Sequence, residues 1–140
     1  MTVALRPLRA ADLPALDLQP SQSHMRAWLT QEFCTAVERA GNAQTALYDG
    51  RPVACAGLSD VPGRRYAWAF LGQMARPVMV AATKACDAML SRETRPIWSH
   101  VRADIPANVR WLAILGFEAT GSTERLWDGR DYELWVRTND

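Results

Sequence analysis

Two ionisable side chains in the second half of the sequence could transfer protons, His100 and Asp104. Histidine titrates closest to neutral pH, so His100 is the better candidate for a general base. It lies in the apolar run 97–101, where strand alternation places it on the same face as Trp98 and Arg102. That pattern favours a packed or surface histidine over a general base. Asp104 is also a candidate, and it fits a loop or helix-capping carboxylate too.

The other reactive side chains are three cysteines, Cys34, Cys55 and Cys86. They are odd in number and widely spaced, with no Cys-x-x-Cys pair and no neighbouring pair of histidines. This spacing argues against a disulfide framework and against a zinc site, so no metal is expected. None has the sequence context of an activated nucleophile, and we expect buried thiols that act as small apolar side chains.

Length and composition predict one compact domain over residues 1–140. The chain has 140 residues with a hydrophobic fraction of 49%, which is enough for one sizeable core. The longest apolar stretches, such as 77–82, are far shorter than the roughly 20 residues of a transmembrane helix. The amino terminus lacks the pattern of a signal peptide. We therefore expect no membrane span and a cytoplasmic protein.

The charge balance excludes one further class of partner. Lys and Arg total 16 and Asp and Glu total 15, which gives a formal net charge of +1. Such a chain has no long-range positive field that would attract phosphate backbones or anionic lipid. We expect no nucleic-acid partner.

Sequence patterns in the first 40 residues predict a strand followed by two helices. The run 3–5 favours a strand, and Asp12 is expected to cap a short helix after it. Ser21 or Ser23 can cap a longer helix in which apolar residues recur at helical spacing up to about Ala40. This second helix is therefore expected to be amphipathic.

The middle of the sequence predicts three strands. The dipeptide Asp49-Gly50 separates the apolar runs 45–48 and 53–58, and it supplies the positive backbone angles of a tight hairpin turn. Pro62-Gly63 marks the next turn. The run 66–71 then has the aromatic and apolar composition of a buried strand.

The remaining elements alternate between helix and strand. A helix is predicted over 77–92, a strand over 97–101 and a helix from Pro106 to Gly116, followed by two strands around Asp128-Gly129. Hairpins combined with crossover helices indicate an α/β protein with a mixed, mostly antiparallel sheet flanked by about four helices.

This element order, together with the helix sequence NVRWLAILGF at 108–117, resembles the GNAT acetyltransferase superfamily. The closing Leu-Gly-Phe is a familiar helix ending of that family. The likeness covers nearly the whole chain in element order. It implies a GNAT-like acyl-CoA N-acyltransferase fold and transfer of an acetyl group from acetyl-CoA to a small amine or a protein amine.

A narrower likeness rests on the strand IWSHV at 97–101 followed by VRWL at 109–112. These segments resemble the small GNAT-like proteins of short-tailed phages, a family that includes an internal virion protein. That resemblance implies a phage or prophage origin, with a place in the host cytoplasm or the virion and a homo-oligomeric or virion partner.

The loop after the fourth strand departs from the family pattern. GNAT proteins carry Gln/Arg-x-x-Gly-x-Gly/Ala there, and its amides hold the pyrophosphate of acetyl-CoA. This chain has QMARPV at 73–78, so Arg76 and Val78 replace the two small residues and Pro77 removes an amide. Arg76 is either a guanidinium substitute for those amides or a solvated arginine. The residues that the resemblance assigns to the cofactor are Leu71, Gly72, Gln73, Ala75 and Arg76.

Two further family residues are missing. The tyrosine that acts as general acid is replaced by Leu112, and the asparagine that contacts the CoA arm is replaced by Ile105. Leucine transfers no proton, so chemistry would need another acid or would depend on proximity.

Two hypotheses therefore stay open. The first is an N-acetyltransferase with a degenerate cofactor loop, which needs an open cleft near Gln73 and His100. The second is a catalytically inactive GNAT-fold protein that acts as a binding or virion-associated component. Exposed tryptophan side chains would favour the second.

Overall fold

A computed structural model of the chain describes residues 3–139. It contains seven strands, three α-helices and two 3-10 helices within that range. The strands are β1 (Ala4–Pro7), β2 (Ala43–Tyr48), β3 (Arg51–Val61), β4 (Arg64–Leu71), β5 (Ile97–Val101), β6 (Glu118–Arg125) and β7 (Asp131–Arg137). The α-helices are α1 (Gln31–Ala40), α2 (Arg76–Ser91) and α3 (Pro106–Ile114), and the 3-10 helices are Ala10–Asp12 and Pro20–Trp28.

The strands form a mixed sheet in the order β1-β2-β3-β4-β5-β7-β6. β1 with β2, β2 with β3, β5 with β7 and β6 with β7 pair antiparallel, whereas β4 and β5 pair in parallel. The parallel pair is joined through α2, as a crossover connection requires. The α/β class and the mostly antiparallel sheet that the sequence indicates are confirmed.

The predicted hairpin is present between β2 and β3. Asp49 and Gly50 both adopt positive φ, 53° and 74°, in the two-residue turn between Tyr48 and Arg51. A turn of this kind matches the right-handed twist of the flanking strands, and asparagine, aspartate and glycine tolerate it best. The local dipeptide therefore fixes the hairpin.

The long helix predicted up to Ala40 is wrong in its first half. Residues 20–28 form a 3-10 helix, and α1 begins only at Gln31. Leu29 leaves helical geometry and Thr30 is extended, with a side chain that accepts a hydrogen bond from the Phe33 amide. Thr30 is therefore the cap of α1, in place of Ser21 or Ser23.

The short helix near the amino terminus is also placed differently. Asp12 is the last residue of the 3-10 helix Ala10–Asp12 and not the residue before a helix. Its carboxylate accepts from the Arg9 amide at 2.8 Å and pairs with Arg6 at 2.6 Å. Asp12 thus links this helix to β1.

The chain divides into two compact units. The first comprises residues up to Ser59 together with Trp68–Cys86, and the second comprises Asp60–Ala67 together with the residues from Asp87 onward. The first unit has a core of buried apolar side chains, which are Leu8, Leu13, Leu16, Leu18, Cys34, Ala43, Cys55 and Phe70. In the second unit the buried side chains include Ile97, Val101, Leu112, Leu115, Phe117 and Leu134.

No helix among residues 3–139 is long and apolar enough to cross a bilayer.

Candidate active site

His100 lies on the half-buried face of β5. Ile97, Ser99 and Val101 are buried, whereas Trp98 and His100 alternate with them and are partly exposed. The His100 Nε2 atom is 3.1 Å from the Glu124 Oε1 atom, and its ring stacks on Tyr66 with centroids 5.1 Å apart and planes 14° apart. The imidazole is therefore held by a carboxylate at one nitrogen and by an aromatic plane on one face.

The strand register explains how these three residues meet. Tyr66 of β4 is the partner of Trp98, which lies two positions before His100 in β5. His100 is opposite Leu134 in β7, and Glu124 of β6 is opposite Tyr132, two positions before Leu134. Side chains two positions apart in a strand lie on the same face. Residues directly opposite in neighbouring strands project on the same side of a sheet. All of them belong to the second unit.

Arg64 completes the polar group around Glu124. Its guanidinium lies 4.5 Å above the Trp98 ring and 3.6 Å from Glu124 Oε1. The side chain of His100 is 21% exposed and that of Glu124 is 42% exposed, so solvent reaches this group. We name Arg64, Tyr66, Trp98, His100 and Glu124 the imidazole cluster.

Sequence reasoning identified His100 but missed Glu124. The carboxylate comes from a strand 24 residues further along, and its approach depends on the pairing of both strands with β7. The only local signal is the turn Asp128-Gly129, which predicts two late strands but not their register.

Asp104 is not part of the imidazole cluster. It lies between β5 and α3, where its carboxylate binds Arg102 through Nε at 3.0 Å and Nη2 at 2.5 Å. The hydrogen bond from Arg102 lowers the pKa of Asp104, which makes it a weaker proton acceptor. The helix cap at this position is Ile105, without a side-chain hydrogen bond, so Asp104 is a paired loop carboxylate.

The residues that the resemblance assigns to the cofactor differ in accessibility. Leu71 and Gly72 are buried, and their backbone groups bond inside the first unit: Leu71 O accepts from Gln19 N and Gly72 N donates to Val53 O. A Cβ on Gly72 would lie 2.9 Å from Val53 O, so glycine is required by the close approach of β3.

The edge of β4 next to these residues is occupied by the protein itself. The side-chain amide of Gln22 accepts from Leu71 N at 2.5 Å and donates to Ala69 O at 3.2 Å. Gln73 N donates to Asp17 O at 2.6 Å, two residues further along. The Gln22 carboxamide thus takes the place that a neighbouring peptide group would have. Residues 17–22 supply hydrogen-bond partners for backbone groups along this edge of β4.

The start of α2 offers exposed groups for an anion. Ala75, Arg76 and Pro77 are exposed, and first-turn amides of a helix have no partner within the helix. Pro77 has no amide, so the guanidinium of Arg76 and the backbone amides around it are the available donors. These residues fit a phosphate group through one charged side chain and the dipole of α2.

Leu112, where the resemblance calls for a tyrosine acid, is buried in α3. The thiols offer no substitute proton donor or nucleophile. Burial raises the pKa of Cys55 to about 12 and that of Cys86 to about 11, and it also raises the pKa of Cys34. Residues 3–139 contain no group of three or more His, Cys, Asp or Glu side chains arranged to hold a metal ion.

No family model and no curated protein matches the sequence. Solved structures do match the fold. A GNAT-family acetyltransferase from Bacillus anthracis aligns with a TM-score of 0.71 at 12% identity, over 99% of this chain and 96% of that chain.

Two further structures were solved with bound ligands. The phosphinothricin acetyltransferase from Sinorhizobium meliloti, in complex with AcCoA, has a TM-score of 0.60 at 20% identity over 98% of this chain and 88% of its own. The PaiA N-acetyltransferase from Thermoplasma acidophilum, in complex with coenzyme A, has a TM-score of 0.63 at 12% identity over 99% of both. The chain therefore has the fold of GNAT acetyltransferases.

Proposed function

We propose that this chain is an acyl-CoA-dependent N-acetyltransferase that acts on an amine. The observation that carries the proposal is the match of 98% of the chain or more to GNAT acetyltransferases, two of them solved with acetyl-CoA or coenzyme A. Folds alone do not determine chemistry, so the proposal also needs residues that can bind the cofactor and move a proton.

The start of α2 supplies the cofactor contacts. Arg76 is exposed at the first residue of the helix, where a guanidinium can pair with phosphate oxygens through charge-assisted hydrogen bonds. Ala75 and Arg76 are exposed residues at the start of α2, and their backbone amides add donors at the positive end of the helix dipole. Acetyl-CoA, when bound, supplies the activated acyl thioester.

The imidazole cluster supplies the proton acceptor. An amine must lose a proton as it forms its bond to the acyl carbon, and a partly exposed histidine can take that proton. His100 has this exposure and is held by Glu124 and Tyr66. Asp104 is the lesser candidate, because Arg102 lowers its pKa.

The test is transfer of the acetyl group to an amine. The purified protein is incubated with acetyl-CoA and a panel of small primary amines and lysine-containing peptides, and acetylated products are measured by mass spectrometry. We expect product with wild type and a rate roughly a hundredfold lower in His100→Ala, the scale of general-base catalysis. His24→Ala, which changes the other histidine, is the matched control and should keep the rate. Absence of product with every amine contradicts the proposal.

A second function is favoured by three other observations. Residues 17–22 bond the β4 edge, Leu112 is buried where the family resemblance predicts a tyrosine acid, and Trp127 is 73% exposed. These features support a catalytically inactive GNAT-fold protein of phage or prophage origin, which acts as a binding or virion-associated component or self-associates. This alternative predicts no acetylated product. It also predicts that Trp127→Ser weakens self-association, as measured by light scattering over a range of protein concentrations.

A further inference from the structure

We propose that Glu124 is the positioning residue for His100: it fixes the imidazole with the Nε2 proton directed at its carboxylate and with Nδ1 presented as the proton acceptor. The use of that nitrogen in catalysis rests on the proposed acetyltransferase function. The positioning of the ring does not depend on that function.

The hydrogen bond to Glu124 determines which ring nitrogen of His100 carries a proton. Nε2 of His100 lies 3.1 Å from Oε1 of Glu124, and an ionised carboxylate only accepts. The nitrogen facing it must therefore carry the proton. In the neutral ring the other nitrogen, Nδ1, then has a free lone pair. Within residues 3–139 the ring has no other hydrogen-bond partner.

The plane of the His100 ring is fixed by an aromatic neighbour. Tyr66 stacks on the His100 ring with planes 14° apart, which fixes the ring plane, and the hydrogen bond to Glu124 selects the edge of the ring that faces the carboxylate. Glu124 is held in turn by Arg64 at 3.6 Å, and Arg64 lies over Trp98. The cluster therefore holds both the ring and its carboxylate partner, as pre-organised proton acceptors require.

His100 accepts the amine proton at Nδ1. When an amine N–H bond breaks, the proton forms a new bond with Nδ1, and the ring becomes an imidazolium. That positive charge then faces the carboxylate of Glu124 through the Nε2 proton, which stabilises it. The lone pair of the amine forms the bond to the acyl carbon, and the electrons of the broken N–H bond stay on that nitrogen. The C–S bond of the thioester breaks, and its electron pair leaves with the thiolate. Glu124 itself neither gains nor loses a proton.

The experiment measures the tautomer of His100 directly. Imidazole nitrogen shifts are recorded by ¹⁵N NMR at about pH 9, where histidine rings are neutral. The chain has two histidines, so a His24→Gln variant assigns the His100 signals. Wild type should show the Nε2-protonated form, with two widely separated nitrogen resonances.

The variants separate positioning from folding. Glu124→Ala removes the acceptor, so the two nitrogen resonances should move toward each other as both tautomers become populated. Glu124→Gln keeps an acceptor oxygen and should restore much of the wild-type pattern. Glu118→Ala changes an exposed carboxylate in the same strand and is the matched control. A wild-type ring protonated at Nδ1, or an unchanged pattern in Glu124→Ala, overturns the proposal.

Enzyme kinetics test whether His100, as positioned by Glu124, acts in the reaction. If the acetyl-transfer assay yields product, Glu124→Ala should lower kcat roughly tenfold or more while KM for the amine stays unchanged. An unchanged kcat overturns the role in catalysis. The expected NMR pattern without any acetyl transfer contradicts the proposed function but supports the positioning, so the two failures are distinguishable.

Discussion

Asp12 shows how one buried carboxylate contributes to stability. It is 4% exposed and accepts hydrogen bonds from Arg6, the Arg9 amide and the Thr45 hydroxyl. Burial by itself raises the pKa of Asp12, but the three donors outweigh it and lower the pKa from 3.8 to about 2. The charged form is therefore preferred in the folded state.

The pH dependence of stability follows from that pKa. Because the folded value lies below the unfolded value, the stabilisation is complete above pH 3.8 and is lost as the pH falls through about 2. We expect the free energy of unfolding, measured with urea at a series of pH values, to decrease over this interval. The decrease should be smaller in Asp12→Asn. Parallel profiles for the two proteins would contradict this account.

Only some residues of the candidate site could be predicted from the sequence. Alternation in 97–101 places His100 on a half-exposed face, and the structure has that alternation. Glu124 and Gln22 could not be found, because each acts on a residue more than 20 positions away. Local patterns carry no information on such pairings until the strand register is known.

The edge of β4 depends on one side chain of the 3-10 helix Pro20–Trp28. Gln22 is buried and satisfies both the amide of Leu71 and the carbonyl of Ala69. Gln22→Leu removes the partner of the buried Leu71 amide and of the part-buried Ala69 carbonyl, which should lower the free energy of unfolding by about 1–3 kcal/mol. Gln44→Leu, at an exposed position of β2, is the control and should change it little. Equal effects in chemical denaturation would contradict the assignment.

Elements with strong local signals were predictable, and those fixed by distant contacts were not. The hairpin at Asp49-Gly50 and the strand Ile97–Val101 follow from the sequence, because turn chemistry and alternation act over a few residues. The break before α1 does not follow from the sequence. Apolar spacing continues through Leu29, and only the backbone geometry at Thr30 shows that two helices meet there.

At the scale of the whole molecule, the likeness in fold does not extend to the residues of the expected site. Element order predicted a mixed α/β sheet, and solved GNAT acetyltransferases match it over nearly the full chain at 12–20% identity. The family resemblance predicts small residues in the loop before α2 and a tyrosine in α3, where this chain has Arg76, Val78 and Leu112. A sheet tolerates such replacements, because its stability comes from the core and from strand pairing.

Acetyl-CoA binding is the property on which the account of this molecule depends. Calorimetric titration of wild type with acetyl-CoA should give micromolar affinity, and Arg76→Ala should weaken it roughly tenfold by removing a charge-assisted contact to phosphate. Arg92→Ala changes an exposed arginine just past the other end of α2 and should bind like wild type. No heat from wild type at millimolar acetyl-CoA would contradict the proposed acetyltransferase function and favour the alternative of a GNAT fold that binds partners.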